Sequence, residues 1–132
     1  MIYVDSSALV KLVIDEEGSA QLRDFTSSRR LTSSALVVTE VPRAVGRADA
    51  SRIPRATSLL DHVQRIAIAE SVLTSAARLQ PPGLRSLDAI HLASALLLGS
   101  ELEAFVAYDE RLLAAASALG MPVAAPGTQL VA

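Results

Sequence analysis

Cysteine is absent from the chain. No disulfide can staple the fold and no thiolate can hold a metal, which suits a reducing compartment. Tryptophan is absent too, and tyrosine and phenylalanine supply two residues each. With 51% of residues hydrophobic and only 3% aromatic, the core has to be built from Ala, Val, Leu and Ile. Lysine is nearly missing. Lys11 is the only one, and the remaining basic side chains are arginines, whose planar fork favours bidentate phosphate contacts. No apolar run approaches the roughly 18 residues of a membrane span. The first residues lack the basic region and apolar stretch of a secretory leader, because Asp5 interrupts them. The cytoplasm is the expected setting. There is no excess of positive charge either: the net charge is −2, so the chain as a whole is not an obvious polyanion binder. Repeats, low-complexity tracts and linkers are lacking, and 132 residues make a single domain over 1–132.

What is present is organised around the first residues. Met1-Ile2-Tyr3-Val4 reads as a short buried strand that ends on the carboxylate of Asp5. Ser6-Ser7 can cap a helix opening at Ala8-Leu9-Val10. From there strands and helices alternate. Ser7 to Glu16 and Ser19 to Ser27 read as helices broken at Gly18, and Leu31-Thr32-Ser33 as a weak strand. A third helix follows from Ser34. Pro42 inside it is awkward unless the helix starts near Thr39, which would place the proline in the first turn. Pro54 opens another helix, Ile66-Ala67-Ile68 reads as a strand, and Glu70 to Leu79 as a helix. Ser86 is expected to cap a long helix from Leu87 to Leu98, closed by Gly99. Ala104 to Ala107 is a strand, Glu110 to Leu119 a helix stopped by Gly120, and Pro122 to Ala124 a last strand. This alternation predicts an α/β fold, a three-layer α/β/α sandwich around a central, mainly parallel sheet.

Four acids stand out against that background. Asp5 ends the first strand and Asp109 follows the strand at 105–107. Asp88 lies in the first turn of the long helix, and Glu40 near the start of the third. Strand ends and the N-termini of the following helices share one edge of a parallel sheet, so these side chains can converge there. Converging carboxylates repel unless a cation joins them, and Mg²⁺ or Mn²⁺ suits carboxylate and water ligands. Such a site can hydrolyse phosphodiesters. Plainer roles exist for three of the acids, and Asp5 is the hardest to explain by packing. Asp88 can complement the helix dipole, Glu40 can be a surface residue, and Asp109 can cap the helix beginning at Glu110.

Three stretches carry a resemblance. Ile2 to Leu9, Arg85 to Ala95 and Phe105 to Leu112 resemble the signature segments of PIN domains, and their order and context resemble the VapC toxins of bacterial toxin–antitoxin pairs. The resemblance implies a Mg²⁺- or Mn²⁺-dependent endoribonuclease with Asp5, Glu40, Asp88 and Asp109 as its catalytic and metal-holding acids. It also implies a VapB-type antitoxin, an RNA substrate, a homodimer and a toxin–antitoxin hetero-oligomer. Two positions depart from the pattern. Ala107 stands where the family often has Thr or Ser, and Val41-Pro42 where Leu often follows the Glu.

His91, three residues after Asp88, is open to two readings, a ligand or a partly buried histidine beside Ile90, and the second is the commoner fate. His62 reads as exposed. Arg85 and Arg111 flank two of the candidate metal acids, Asp88 and Asp109, and can hold a phosphate. Arg43, Arg47, Arg52 and Arg55 form a basic stretch that suits RNA phosphates, acidic antitoxin side chains, or simple solvation, and Arg43 is the one nearest Glu40. Leu12, Val13 and Leu22 on the early helices fit a core better than a partner groove. A Mg²⁺-binding phosphoacceptor of the receiver type is a rival reading. It wants paired acids after the first strand and a late lysine, whereas Ser6-Ser7 follow Asp5 and the lysine is Lys11. A non-catalytic interaction module on the same scaffold is a second rival, opposed by the retention of all four acids.

Overall fold

The computed structural model describes residues 1–128. The strand β1 (Ile2–Val4) is followed by helices α1 (Ser6–Val13) and α2 (Ser19–Thr26), then β2 (Leu31–Ser34), α3 (Val37–Asp49) and α4 (Ile53–Leu60). The second half runs β3 (Val63–Ile66), α5 (Glu70–Ala77), α6 (Ser86–Leu96), β4 (Ala104–Val106), α7 (Glu110–Ala118) and β5 (Val123–Ala124). The strands form one sheet in the order β3-β2-β1-β4-β5, parallel throughout. The expected sandwich is present.

The period of two in the strands builds its layers. Ile2 and Val4 of β1, with Ala104 and Val106 of β4, face a core made with Leu9, Leu22, Val41, Val45 and Leu60. Tyr3 and Phe105 point the other way, into a second core with Leu92, Leu112 and Ala116. Helices α1 to α4 therefore cover one face, and α6 and α7 the other. Beyond them α5 packs on α6 through Val72, Ala76, Ala89 and Ala93. The scarcity of aromatics is met by one stacked pair, Tyr3 on Phe105 at 5.2 Å between ring centroids. No helix among the described residues is long and apolar enough to cross a membrane.

The strand order has a consequence for function. The chain winds outward from β1 through β2 to β3 on one face, then returns to β4 beside β1 and winds the other way on the opposite face. The crevice between the ends of β1 and β4 is the topological switch point, where open α/β sheets bind ligands.

Several local expectations need correction. The third strand, β3, lies at an edge of the sheet and spans Val63–Ile66, not 66–68. Pairing with β2 sets its register, Leu31 opposite Val63 through Ser34 opposite Ile66, and an edge strand with Gln64 and Arg65 exposed carries little apolar signal. Helix α3 starts at Val37, so Pro42 lies beyond its first turn. The carbonyl that a residue-42 N–H would have met belongs to Val38, which is 48% exposed and open to water. Ser86 is the first residue of α6 rather than its cap. Arg85 holds the cap position, in extended backbone and without a side-chain bond.

Candidate active site at the carboxyl edge of the sheet

Asp5 leaves β1 in extended backbone (φ −78°, ψ 177°) and caps α1. Its Oδ1 accepts from the Ala8 N–H at 3.0 Å and from the Ser7 hydroxyl at 2.7 Å. Both bonds fall on Oδ1. Among the described residues no buried side-chain oxygen or nitrogen lacks a partner, so Oδ2 reaches solvent at the mouth of the crevice. Asp5 is only 6% exposed. Burial, with the Asp88 charge adding to it, pushes its carboxyl up to about 6 against the pull of those hydrogen bonds.

Asp88 sits in the first turn of α6, half-buried. Burial raises its pKa too, and the charges of Asp109 and Glu40 push the same way, while those of His91 and Arg85 oppose them. Asp109 ends the loop after β4 and caps α7, its Oδ1 accepting from the Leu112 N–H at 2.9 Å. The cap expected as its plainer role is therefore real, and its side chain remains exposed at the same edge. Glu40, in the first turn of α3, is drawn inward. Its Oε1 accepts from the Ser6 hydroxyl at 2.5 Å and from His91 Nε2 at 2.8 Å. Burial works against ionisation there, but the bonds from His91 and Ser6 outweigh it and lower the pKa.

His91 departs from the reading of a partly buried residue packed beside Ile90. It is 2% exposed and stands at the centre of a polar network. The Tyr3 hydroxyl meets its Nδ1 at 2.7 Å, and Glu40 and Ser6 (3.2 Å) meet its Nε2. Tyr3 and Ser6 are the neighbours of the acids that sequence reasoning missed, and His91 is one it raised as a ligand and then set aside for packing. Only the apolar setting of a histidine three residues after Asp88 hinted at it. His62 is exposed, as expected. Ala107 is fully buried in the second core with Tyr3 and Leu92.

The arginines divide. Arg52 is tied down by Asp49 (3.4 Å) and the Val13 carbonyl. Arg43, Arg85 and Arg111 make no ion pair among the described residues. They rise from α3, the cap of α6 and the first turn of α7, the elements that also carry Glu40, Asp88 and Asp109.

Residues 2–118 match the model of the PIN domain family. The chain belongs to the PIN-domain family. Within it the VapC proteins are near relatives. Ribonuclease VapC35 of Mycobacterium tuberculosis (strain H37Rv) is 43% identical over 132 residues, which cover 96% of this chain and 98% of the relative. Ribonuclease VapC47 of Mycobacterium tuberculosis (strain CDC 1551) is 40% identical over 133 residues, with the same coverage of 96% and 98%. The crystal structure of Mycobacterium tuberculosis VapC20, described as a sarcin-ricin loop cleaving toxin, superposes with a TM-score of 0.74 over 96% of this chain and 100% of that one. At 17% identity that likeness speaks for the PIN fold alone.

The acids suit a hard divalent cation. Every donor is a carboxylate oxygen, Asp5 keeps one oxygen open, and the Asp88 charge raises the cost of ionising Asp5. Among the described residues no three His, Cys, Asp or Glu side chains close on a single point.

Proposed function

We propose that this PIN domain is a metal-dependent endoribonuclease of the VapC kind, the toxic half of a toxin–antitoxin pair. The observation that carries the reading is Asp5, an acid kept buried at the switch point between β1 and β4 although burial penalises its charge. A position that costs stability when ionised is retained for chemistry rather than for packing. Asp5 and Asp88, with Asp109 and Glu40 at the same edge, would hold Mg²⁺ or Mn²⁺. Bound there, such an ion supplies activation of a water nucleophile and neutralisation of charge on the phosphate under attack. Arg43, Arg85 and Arg111 bracket the acids and would hold the scissile phosphate and its neighbours through guanidinium forks. RNA as the substrate is supported by the ribonuclease names of relatives at 40–43% identity.

Purified chain should cut a structured RNA with Mg²⁺ or Mn²⁺ and stop in EDTA, and Asp5→Asn prepared identically should be inactive. Cutting that persists in EDTA, with the Asp5→Asn preparation silent, would overturn the metal-dependent mechanism.

The partner is a small VapB-type antitoxin. A groove of about 450 Å³ lies between α1, α2 and α4, lined by Leu12, Val13, Leu31 and Leu59 and edged by Arg23 and Arg55. An amphipathic helix with acidic flanks would fill it. Leu12 thus has a second use besides the core assigned to it, and Val13 and Leu22 are buried as expected. Co-expression with the protein encoded immediately upstream should give a complex that is silent on RNA until stripped by mild denaturant. A complex as active as the stripped chain would remove the toxin–antitoxin reading and leave a free-standing nuclease. Chromatographic mass of the stripped chain tests the proposed homodimer.

A further inference from the structure

We propose, resting on the metal-dependent reading above, that His91 is a positioning residue: held by the Tyr3 hydroxyl, it presents an N–H that fixes the Glu40 carboxylate at the rim of the acidic site.

The direction of each hydrogen bond follows from the donors present. Ser6 has already given its hydroxyl proton to Glu40 Oε1. A ring nitrogen without hydrogen cannot face a carboxylate oxygen at 2.8 Å, so Nε2 carries the proton and donates to Glu40. A tyrosine side chain is a phenol near neutral pH, so the Tyr3 hydroxyl can donate to Nδ1 at 2.7 Å. The Nε2–H of the imidazole is thereby aimed at Glu40. The edge-on contact with the Tyr3 ring, 5.9 Å between centroids, holds its plane.

Four elements meet at this ring: β1 through Tyr3, α1 through Ser6, α3 through Glu40 and α6, which carries His91 one turn from Asp88. Glutamate is a rotamer-rich side chain, and on the partly exposed first turn of α3 it would otherwise sample several positions. Ser6 and His91 both engage Oε1 and leave Oε2 unclaimed. A core needing only volume would be filled by leucine, which leaves no ring nitrogen to satisfy. Hydrogen-bond partners of metal-holding carboxylates act in this way, and their loss typically weakens metal binding by about 10–100-fold.

The test is calorimetric titration of the purified full chain with Mn²⁺, alongside thermal melts. His91→Asn is too short to reach Glu40, whereas His91→Gln places its amide nitrogen near the position of Nε2. Expected are a loss of at least roughly tenfold in Mn²⁺ affinity for His91→Asn and near-native affinity for His91→Gln. On a Glu40→Ala background His91→Asn should add nothing, because the two act as one unit. If instead both His91 variants weaken Mn²⁺ alike, in step with their melting temperatures, and the losses add to that of Glu40→Ala, His91 is a packing residue and the proposal falls. Should His91→Asn fail to fold, Tyr3→Phe replaces it. That variant keeps the stack on Phe105 and removes only the hydroxyl. It should weaken Mn²⁺ measurably with Glu40 present and not without it, and unchanged affinity overturns the proposal. Wild-type chain that binds no Mn²⁺ would bring down the metal-dependent reading and this role together. Wild-type binding with a native-like His91→Asn would bring down this role alone.

Discussion

Asp5→Asn separates what the fold needs at the end of β1 from what chemistry needs there. Asparagine keeps a side-chain oxygen for the Ala8 N–H and the Ser7 hydroxyl, so the cap on α1 survives, and only the charge is lost. In the native chain burial, against the hydrogen bonds, lifts the Asp5 carboxyl from 3.8 to about 6. The folded state therefore binds this proton more tightly than the unfolded state. No penalty exists below about pH 3.8. It grows as the pH rises and is complete above about pH 6. Two pH units of displacement correspond to about 3 kcal/mol of stability withheld at pH 7.5. Metal-free Asp5→Asn should then melt higher than wild type at pH 7.5, by on the order of 10 °C for a chain of this size, and close to wild type at pH 4. Saturating Mn²⁺ should reverse the order. At a hundred times its dissociation constant an ion adds about 2.7 kcal/mol to a protein that binds it, and the variant should gain far less. Melts in EDTA and in Mn²⁺ across pH 4–7.5 read all of this. An Asp5→Asn chain that is less stable than wild type at pH 7.5, with an unchanged pH profile, would refute the reasoning and make Asp5 a capping residue only.

Asp88→Asn should lose about 10²-fold or more in RNA cleavage while His91→Gln loses much less. Equal damage from the two, with the fold intact, would reverse the assigned roles. At Asp109 the cap and the chemistry can be pulled apart: Asp109→Ala should cost about 1 kcal/mol in denaturant melts and Asp109→Asn far less, yet both should depress cleavage. Arg43→Gln should raise KM, leave kcat nearly unchanged, and reduce the salt dependence of RNA binding by about one unit of slope. A loss of kcat at constant KM would place Arg43 at the reacting phosphate.

The local facts were open to reading from residues alone. A strand that hands over to a helix through Asp5-Ser6-Ser7 announces itself by its apolar run and its capping chemistry. The same holds for Phe105 to Glu110. The first-turn positions of Asp88 and Glu40 follow from helix periodicity within a turn or so. Alternation of strands and helices was enough for a parallel sheet, and a parallel sheet was enough to put strand-end acids on one edge. Where that local signal is weak, the residues alone misplace an element. The edge strand β3 has a solvated, charged face and takes its register from β2 rather than from its own pattern. Helix α3 tolerates Pro42 because the carbonyl it leaves without an N–H belongs to the exposed Val38, which its own segment does not announce.

Tertiary structure alone decided which acids became neighbours. Nothing periodic in the sequence says that β4 returns beside β1, although that return makes the crevice between Asp5 and Asp109. Nor does any local pattern tie Tyr3 to His91 across 88 residues, or His91 to Glu40 across 51. A histidine in an apolar helix looks the same from its own segment whether it fills space or holds a carboxylate. Hydrogen bonds between distant elements depend on how the layers stack, and stacking is a property of the whole core rather than of any one stretch of chain.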